Sequence, residues 1–274
     1  MDKKYKLTEE TINVEGHTLH RIKALRDFGN VTKGDLGGFI ESEKNLAHNA
    51  DCWVYADAKV YGDAMVCAWA EVSGNARVYD SAIVHWRAKV SDNAEVCGEA
   101  RLYHLAEVSG NAKVCDNAQL DDNAKVYGNA DVSGWAEVSD NARVYADAKV
   151  YGDALVSGNT EVSGTAKVFG HAKVYGDALV SGNAEVSESA EVFGHAQLDG
   201  NAQVYGWAEV SGDAKVFDHA EVSGWAKVSG NAKVYGNAEV YGDAKVIDDA
   251  EVYGDALVSG NAEVSGNTKV YDTK

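Results

Sequence analysis

Aliphatic residues recur at every sixth position along most of the chain. From Val54 to Val270 each sixth residue is Val or Leu, and the residue two places before it is nearly always Ala. Alternate side chains of a β-strand point to opposite faces, so this Ala and this Val or Leu share one face and turn inward. The outward positions are mostly Lys or Glu, then Ser or Tyr. Each hexad therefore predicts one short, half-buried strand.

The two remaining residues of each hexad, typically Gly-Asn or Gly-Asp, predict a bend. Gly adopts positive φ freely, and Asn and Asp tolerate the left-handed region better than most residues do. No proline occurs, which fits a backbone whose amides nearly all donate to neighbouring strands. Because no insertion interrupts the register, the pattern predicts one parallel β-solenoid over residues 46–274.

The first 45 residues do not follow the hexad register. Two alternating apolar runs flank Glu15-Gly16, and a glycine-rich stretch follows at residues 34–38. This arrangement predicts a β-hairpin that leads into a bend. Terminal repeats of solenoids need a cover for the open core, so residues 1–45 are expected to form an N-terminal cap.

The segment from Leu19 to Leu46, followed by the Ala-x-Val-x-Gly-Asn register, resembles YdcK-type hexapeptide-repeat proteins of enterobacteria and their phages. Members of that family are often labelled acetyltransferases. The resemblance implies an all-β, left-handed triangular β-helix with three hexads per coil, hence about 12 coils here. The left-handed sense rests on the resemblance alone, since parallel crossovers are generally right-handed. It also implies acetyl-coenzyme A as cofactor if the chain is an enzyme.

At 18 residues per coil, the sequence can be read as columns. One corner column is rich in Asn, which predicts an amide ladder; turn chemistry accounts for it, and we expect no structural metal. Cys97 and Cys115 are 18 apart and should be neighbours. Because the sequence shows no signal peptide, a cytoplasmic location with reduced thiols is expected.

Catalysis would need convergent side chains. Acyltransferases of this fold use a histidine base, and His171, His195 and His219 are the candidates that the resemblance suggests. On an 18-residue coil they lie on three different corners and more than one coil apart, so one chain cannot assemble them into a zinc site. The sequence therefore favours a noncatalytic protein, with acetyl transfer as the alternative.

Charge narrows the choice of partners. The formal net charge is −18, from 43 acidic and 25 basic residues, and the whole excess lies beyond residue 45. Such a surface should repel nucleic acid and anionic membranes. A second alternative function is therefore an acidic mimic that competes for a nucleic-acid-binding protein.

One outward column of the C-terminal third combines aromatic rings with neighbouring lysines. We interpret it as a contact surface for a partner protein, a small anionic ligand or a second copy in a dimer or trimer, although tyrosine ladders also arise from β propensity alone. Two tryptophans at a neighbouring corner, flanked by Tyr205 and Tyr241, extend this surface. The predicted binding residues are Lys215, Phe217, Lys233, Tyr235, Tyr253, Lys269, Tyr271, Trp207 and Trp225.

Overall fold

The computed structural model describes residues 3–272, which form short parallel strands on three sheets. The all-β, triangular solenoid with an 18-residue repeat is confirmed, with about 13 turns where about 12 were predicted. Its handedness stays a prediction. The chain divides into two compact units, Met1–Trp135 and Ala136–Lys274, which are described separately.

The N-terminal hairpin is confirmed. Strand β1 (Tyr5–Val14) pairs antiparallel with β2 (His17–Ala24), and the turn between them places Glu15 and Gly16 at φ 53° and 94°. A third strand, β3 (Leu36–Ile40), was not predicted; it pairs antiparallel with β2 and parallel with the strand Lys59–Val60. The cap is thus hydrogen-bonded into a sheet of the first unit. A domain boundary at residue 45 stays a prediction.

Close packing explains the glycine pair within β3. A Cβ on Gly37 would lie 2.6 Å from the Val54 carbonyl oxygen, and one on Gly38 would lie 2.5 Å from the Ala58 oxygen. Real Cβ atoms do not approach a backbone so closely, so only glycine lets the cap rest on the first coil. A short 3₁₀ helix, Glu43–Asn45, then leads to Leu46, which bridges to Val66.

The hexads of the first unit form three faces, here called A, B and C. Strands pair in register with the strand 18 residues further on, as Val96 does with Val114. Face A contains β3, Lys59–Val60, Arg77–Val78, Glu95–Val96, Lys113–Val114 and Asp131–Val132. Face B contains Trp53–Val54, Glu71–Val72, Lys89–Val90, Glu107–Val108 and Lys125–Val126. Face C contains Met65–Val66, Ile83–Val84, Arg101–Leu102 and Gln119–Leu120.

The second unit has the same three kinds of face, with the same pairing. Face A contains Lys149–Val150, Lys167–Val168, Glu185–Val186, Gln203–Val204, Glu221–Val222, Glu239–Val240 and Leu257–Val258. Face B contains Arg143–Val144, Glu161–Val162, Leu179–Val180, Gln197–Leu198, Lys215–Val216, Lys233–Val234, Glu251–Tyr253 and Lys269–Tyr271. Face C contains Glu137–Val138, Leu155–Val156, Lys173–Val174, Glu191–Val192, Glu209–Val210, Lys227–Val228, Lys245–Val246 and Glu263–Val264.

The inward and outward assignment is confirmed. Almost every Ala and Val of the hexads is buried; the exceptions are Ala262 and Val270 in the last hexads, where Thr268, in an Ala position, is also exposed. Burying one such Val side chain stabilises the fold by roughly 1.5–3 kcal/mol. Thr160 stands in an Ala position and stays buried because its hydroxyl donates to the Ser157 carbonyl at 2.6 Å. The core is thus a continuous stack of small aliphatic side chains within each unit.

Side-chain ladders follow the backbone ladders. We call the successive coils of a face its rungs. Asn75, Asn93 and Asn111 each donate an amide hydrogen bond to the residue on the next rung at 3.0–3.2 Å, which confirms the predicted amide ladder. Cys97 and Cys115 are neighbours as expected, with Cα atoms 4.5 Å apart, but they form a disulfide, so the prediction of free thiols is wrong for this pair. Within residues 3–272 no helix combines the length and apolar character needed to span a bilayer.

Candidate functional site

The predicted aromatic stripe lies on face B of the second unit. Phe217, Tyr235, Tyr253 and Tyr271 stack from rung to rung, with ring centroids 4.8, 5.0 and 5.1 Å apart. The spacing matches the separation of strands in a sheet, so backbone geometry alone accounts for the stacking. The structure brings the four rings together as the sequence predicted.

The lysines beside this stripe are largely neutralised. Lys233 and Lys269 both pair with Glu251, at 3.7 and 2.9 Å. The hydrogen bond from Lys269 holds the pKa of Glu251 below its ordinary value. Lys215 has no ion pair in the part of the chain that the structure describes. The stripe therefore presents one unpaired cation to an anionic ligand.

The two predicted tryptophans also meet. Trp207 and Trp225 stack with centroids 4.8 Å apart and planes inclined by 6°, and both are more than half exposed. A groove runs past Tyr205 and Tyr241 beside them, and its charged side chains are Glu221 and Glu239. This surface differs in charge from the lysine-flanked stripe.

The three candidate catalytic histidines are not brought together. His171 and His195 are strongly exposed, and the Nδ1 atom of each lies 3.3 and 3.6 Å from Asp153 and Asp177 respectively. Among residues 3–272, no hydrogen bond, ion pair or ring contact joins any two of His171, His195 and His219. Each instead occupies a corner position where the repeat usually carries Asn or Asp.

A corner of the first unit, between faces C and B, departs most from the repeat. At the other two corners of that unit, the left-handed position is mainly Gly or Asp. At this corner the left-handed position lacks glycine on five successive turns, although its φ remains between 51° and 58°. We call this the glycine-free corner, and its left-handed residues are Ala50, Ala68, Trp86, His104 and Asp122.

Bulky side chains at such positions are costly. A left-handed conformation costs a non-glycine residue roughly 1–2 kcal/mol, and Asn and Asp tolerate it best. The next coil adds crowding, since a Cβ on Gly98, the equivalent position of another corner, would lie 2.7 Å from the Asp116 backbone nitrogen. Trp86 and His104 nevertheless occupy the position on successive turns. Strain of this kind persists where the surrounding structure or a function supports it.

The glycine-free corner carries an exposed ring ladder. Trp69 and Trp86 lie 6.1 Å apart, and Trp86 and His104 lie 5.9 Å apart, between ring centroids. With Arg87 and Leu105, the Trp86 and His104 rings line a groove of about 320 Å³. Arg87 and Leu105 also line a second groove of about 350 Å³, which includes Trp69. Two open grooves thus meet at Arg87 and Leu105. Their other charged side chains are Asp122 in the first and Asp51, Glu71 and Lys89 in the second.

Electrostatics distinguish two sides of this surface. His104 Nδ1 donates to Asp121, whose carboxylate also accepts the Asp122 backbone N–H at 2.7 Å. The Asp121 hydrogen bond raises the pKa of His104 above its ordinary value. On the other side, the Arg87 guanidinium has no carboxylate within ion-pair distance among residues 3–272. A paired histidine and an unpaired arginine therefore share one groove.

The same cluster offers metal-ligating atoms. His104, Asp121 and Asp122 each place one ligand atom within 4.8 Å of the others. His104 and Asp121 already satisfy each other by a hydrogen bond, so the cluster has a sufficient explanation without an ion. The arrangement is better suited to orient an imidazole, because a carboxylate on Nδ1 selects the tautomer and leaves Nε2 for proton transfer.

Sequence reasoning missed this corner, although a signal was present. Reading every eighteenth residue through Ala50 shows Trp and His where the parallel columns carry Gly or Asp. The adjacent column carries Trp69, Arg87 and Leu105 where the repeat usually has Asn or Asp. Both departures fall on the same turns of the solenoid. This coincidence is visible only when residues 18 apart are compared.

Comparison with known proteins agrees with the resemblance drawn from the hexads. A family model described as YdcK β-solenoid repeat matches residues 70–85. The Escherichia coli K12 protein named uncharacterized acetyltransferase YdcK is 34% identical over 85 residues, 28% of this chain. The match spans about a quarter (24%) of that relative's length.

A solved acyltransferase structure shows a distant similarity. The Francisella novicida UDP-N-acetylglucosamine acyltransferase matches at 14% identity and a TM-score of 0.25, over 73% of this chain and 68% of that one. The chain therefore carries a YdcK β-solenoid repeat and is similar, over part of its length, to the E. coli acetyltransferase-named YdcK, so the predicted resemblance is confirmed.

Proposed function

We propose that the chain is a binding protein whose ligand site is the glycine-free corner, and that the ligand is a small anion with an apolar part. The observation that carries this proposal is the presence of Trp86 and His104 at left-handed positions on successive turns. Glycine would relieve the strain there without disturbing the hexad. Large side chains kept at such a cost are typical of sites that trade stability for function.

The lining of the corner supports this class of ligand. The exposed indoles of Trp69 and Trp86 and the side chain of Leu105 provide apolar contact area. Arg87 provides a cation without an internal carboxylate partner among the described residues, and a guanidinium matches carboxylate or phosphate oxygens in bidentate geometry. Small-ligand sites typically combine an apolar wall with few polar groups.

The first test places glycine, the usual left-handed residue of the repeat, at this corner. Changing Trp86 and His104 together to Gly should leave the thermal unfolding midpoint unchanged or raise it, because about 1–2 kcal/mol of left-handed strain is removed at each position. The same variant should lose binding of phenyl phosphate, measured by ligand-observed NMR. Arg87→Gln should weaken phenyl phosphate but not neutral phenol.

Asp116→Gly is the matched control. Asp116 has φ 60° at another corner of the same unit, so its replacement also relieves strain but should not alter binding. Reduced stability with unchanged phenyl phosphate binding in the Trp86 and His104 variant would mean that the two rings only support packing, and the proposal would fail.

A second candidate function is acetyl transfer at the same corner. It is favoured by His104, which lines the groove and is oriented by Asp121, and by the name of the E. coli relative. His104 Nε2 would accept the proton of an attacking hydroxyl or amine, as a carboxylate-oriented histidine does in general base catalysis. Acetyl-coenzyme A would then be the donor.

Acetyl transfer has its own test. If it occurs, the rate of thiol release from acetyl-coenzyme A with a small amine should fall at least about a hundredfold in His104→Gln, since general base catalysis contributes roughly that much or more. Asp121 raises the pKa of His104, so the rate should rise with pH through a value above that of free imidazole. His195→Gln, on another column, is the control. Absence of turnover in the unaltered protein would exclude this candidate.

Two further functions concern other surfaces of the chain. The stripe on face B of the second unit is proposed as a surface for a partner protein or for self-association into a dimer or trimer. Acidic mimicry has less support, because lysines and glutamates pair across rungs, as in Lys125–Glu107 at 2.9 Å and Lys167–Glu185 at 2.7 Å. Interspersed opposite charges produce a weaker field than a continuous acidic surface.

A further inference from the structure

A groove on the second unit has a chemistry opposite to that of the glycine-free corner. It has a volume of about 370 Å³ and is lined by Tyr205, Ser223 and Tyr241, by Glu221 and Glu239, and by backbone at two glycines. Its lining contains no Lys or Arg. Aromatic rings and carboxylates together favour a positively charged ligand.

The rungs define the spacing of the two tyrosine rings. Tyr205, Ser223 and Tyr241 follow Val204, Val222 and Val240, which pair in register on successive strands of face A. They therefore occupy one outward column. Two strand steps of about 4.8 Å separate the tyrosines by roughly 10 Å. Ser223, whose side chain hydrogen-bonds Tyr205, fills the middle rung with only a hydroxymethyl group, so one ring is missing from the column.

Two strand steps leave the separation that a quaternary ammonium group needs between two rings. Where the column is complete, as on face B of this unit, rings stack 4.8–5.1 Å apart and leave no room between them. From the strand spacing, a group midway between the two tyrosine rings would lie about 5 Å from each of them. Cation–π attraction acts within about 6 Å of a ring centroid, so both rings can act on one cation.

The two carboxylates supply the complementary charge. Glu221 accepts a hydrogen bond from the Tyr205 hydroxyl at 3.2 Å. Glu239 has no ion pair in the portion of the chain that the structure describes. In a groove without a basic side chain, both acids are available to a ligand cation.

We propose that this groove, which we call the tyrosine gap, binds a small quaternary ammonium compound between Tyr205 and Tyr241. A trimethylammonium head fits better than a metal ion, because it lacks hydrogen-bond donors and gains most from aromatic faces. Glu221 and Glu239 balance its charge. The site lies in the second unit and does not depend on the function proposed for the glycine-free corner.

The test uses choline as the probe and the full-length chain as the protein. Calorimetry should detect choline binding, whereas 3,3-dimethylbutan-1-ol, its neutral isostere, should bind at least about tenfold more weakly. Ser223→Tyr fills the gap and should abolish binding. The variant should still fold, because the complete column on face B shows that consecutive rings are accommodated.

Two further variants separate the contribution of a ring to choline binding from that of an opposing charge. Tyr241→Ser and Glu239→Gln should each weaken choline by about tenfold, the upper range for removing one ring or one opposing charge. Tyr175→Ser, on face C of the same unit, also removes one ring from a stacked pair, so it is the matched control and should bind choline normally. Equal binding of choline and its neutral isostere, or unchanged choline binding in Ser223→Tyr, would overturn the proposal.

Discussion

Replacing Val162 by Asp is expected to destabilise the second unit by several kcal/mol. Val162 is fully buried and pairs in register with Val144 and Val180 on neighbouring strands of face B. Its neighbours in the core are aliphatic, so a carboxylate would have no hydrogen-bond partner and would be protonated or force the coil apart. Urea unfolding followed by circular dichroism measures the loss.

Glu161→Lys is the control one residue away. The Glu161 side chain is on the outside, where it accepts hydrogen bonds from Arg143 at 3.2 Å and Tyr145 at 3.1 Å. Losing such exposed contacts costs about 0–1 kcal/mol. If Glu161→Lys were as damaging as Val162→Asp, the assignment of inward and outward positions would be wrong.

Gly158→Ala is the second change with a large expected effect. Gly158 has φ +78°, and a Cβ there would lie 2.4 Å from the Gly176 carbonyl oxygen. The left-handed conformation alone costs roughly 1–2 kcal/mol for Ala, and displacing the next coil adds about 1–3 kcal/mol more. We expect a loss of about 3 kcal/mol, measured by chemical unfolding.

Gly260→Ala isolates the conformational part of that cost. Gly260 holds the same place in its hexad with φ +64°, but a Cβ on it would meet no atom within 4 Å. Its replacement should cost only the conformational part, about 1–2 kcal/mol. Equal losses for the two variants would show that contact between coils contributes nothing to the choice of glycine.

These effects follow from features that the sequence makes visible. The period of two within each hexad predicts which residues are inside, because a strand cannot place adjacent side chains on the same face. The amide ladder and the neighbouring cysteines follow from the 18-residue spacing once it is adopted. The disulfide does not follow, since residue spacing brings two sulfurs together without deciding their oxidation state.

The N-terminal segment was only partly predictable. Its hairpin is local, and the Glu15-Gly16 turn marks it in the sequence. β3 is short and begins Leu-Gly-Gly, which is poor in β propensity, so local preference does not predict a strand. It forms because Phe39 and Ile40 pair with Lys59 and Val60, and because two glycines allow the backbone to approach the first coil.

The candidate sites also combine features that the sequence predicts with features that only the fold reveals. The sequence by itself determined the solenoid, its inward stack of Ala and Val, and the aromatic stripe, because all three depend on a repeat that continues without insertion. Tertiary structure decided which departures from the repeat act together. Trp86, Arg87 and His104 form one groove because coiling places residues 18 apart on adjacent rungs. Tyr205 and Tyr241, 36 residues apart, lie two rungs apart and so enclose an unfilled one. The charge around each groove depends on which ion pairs form across those rungs.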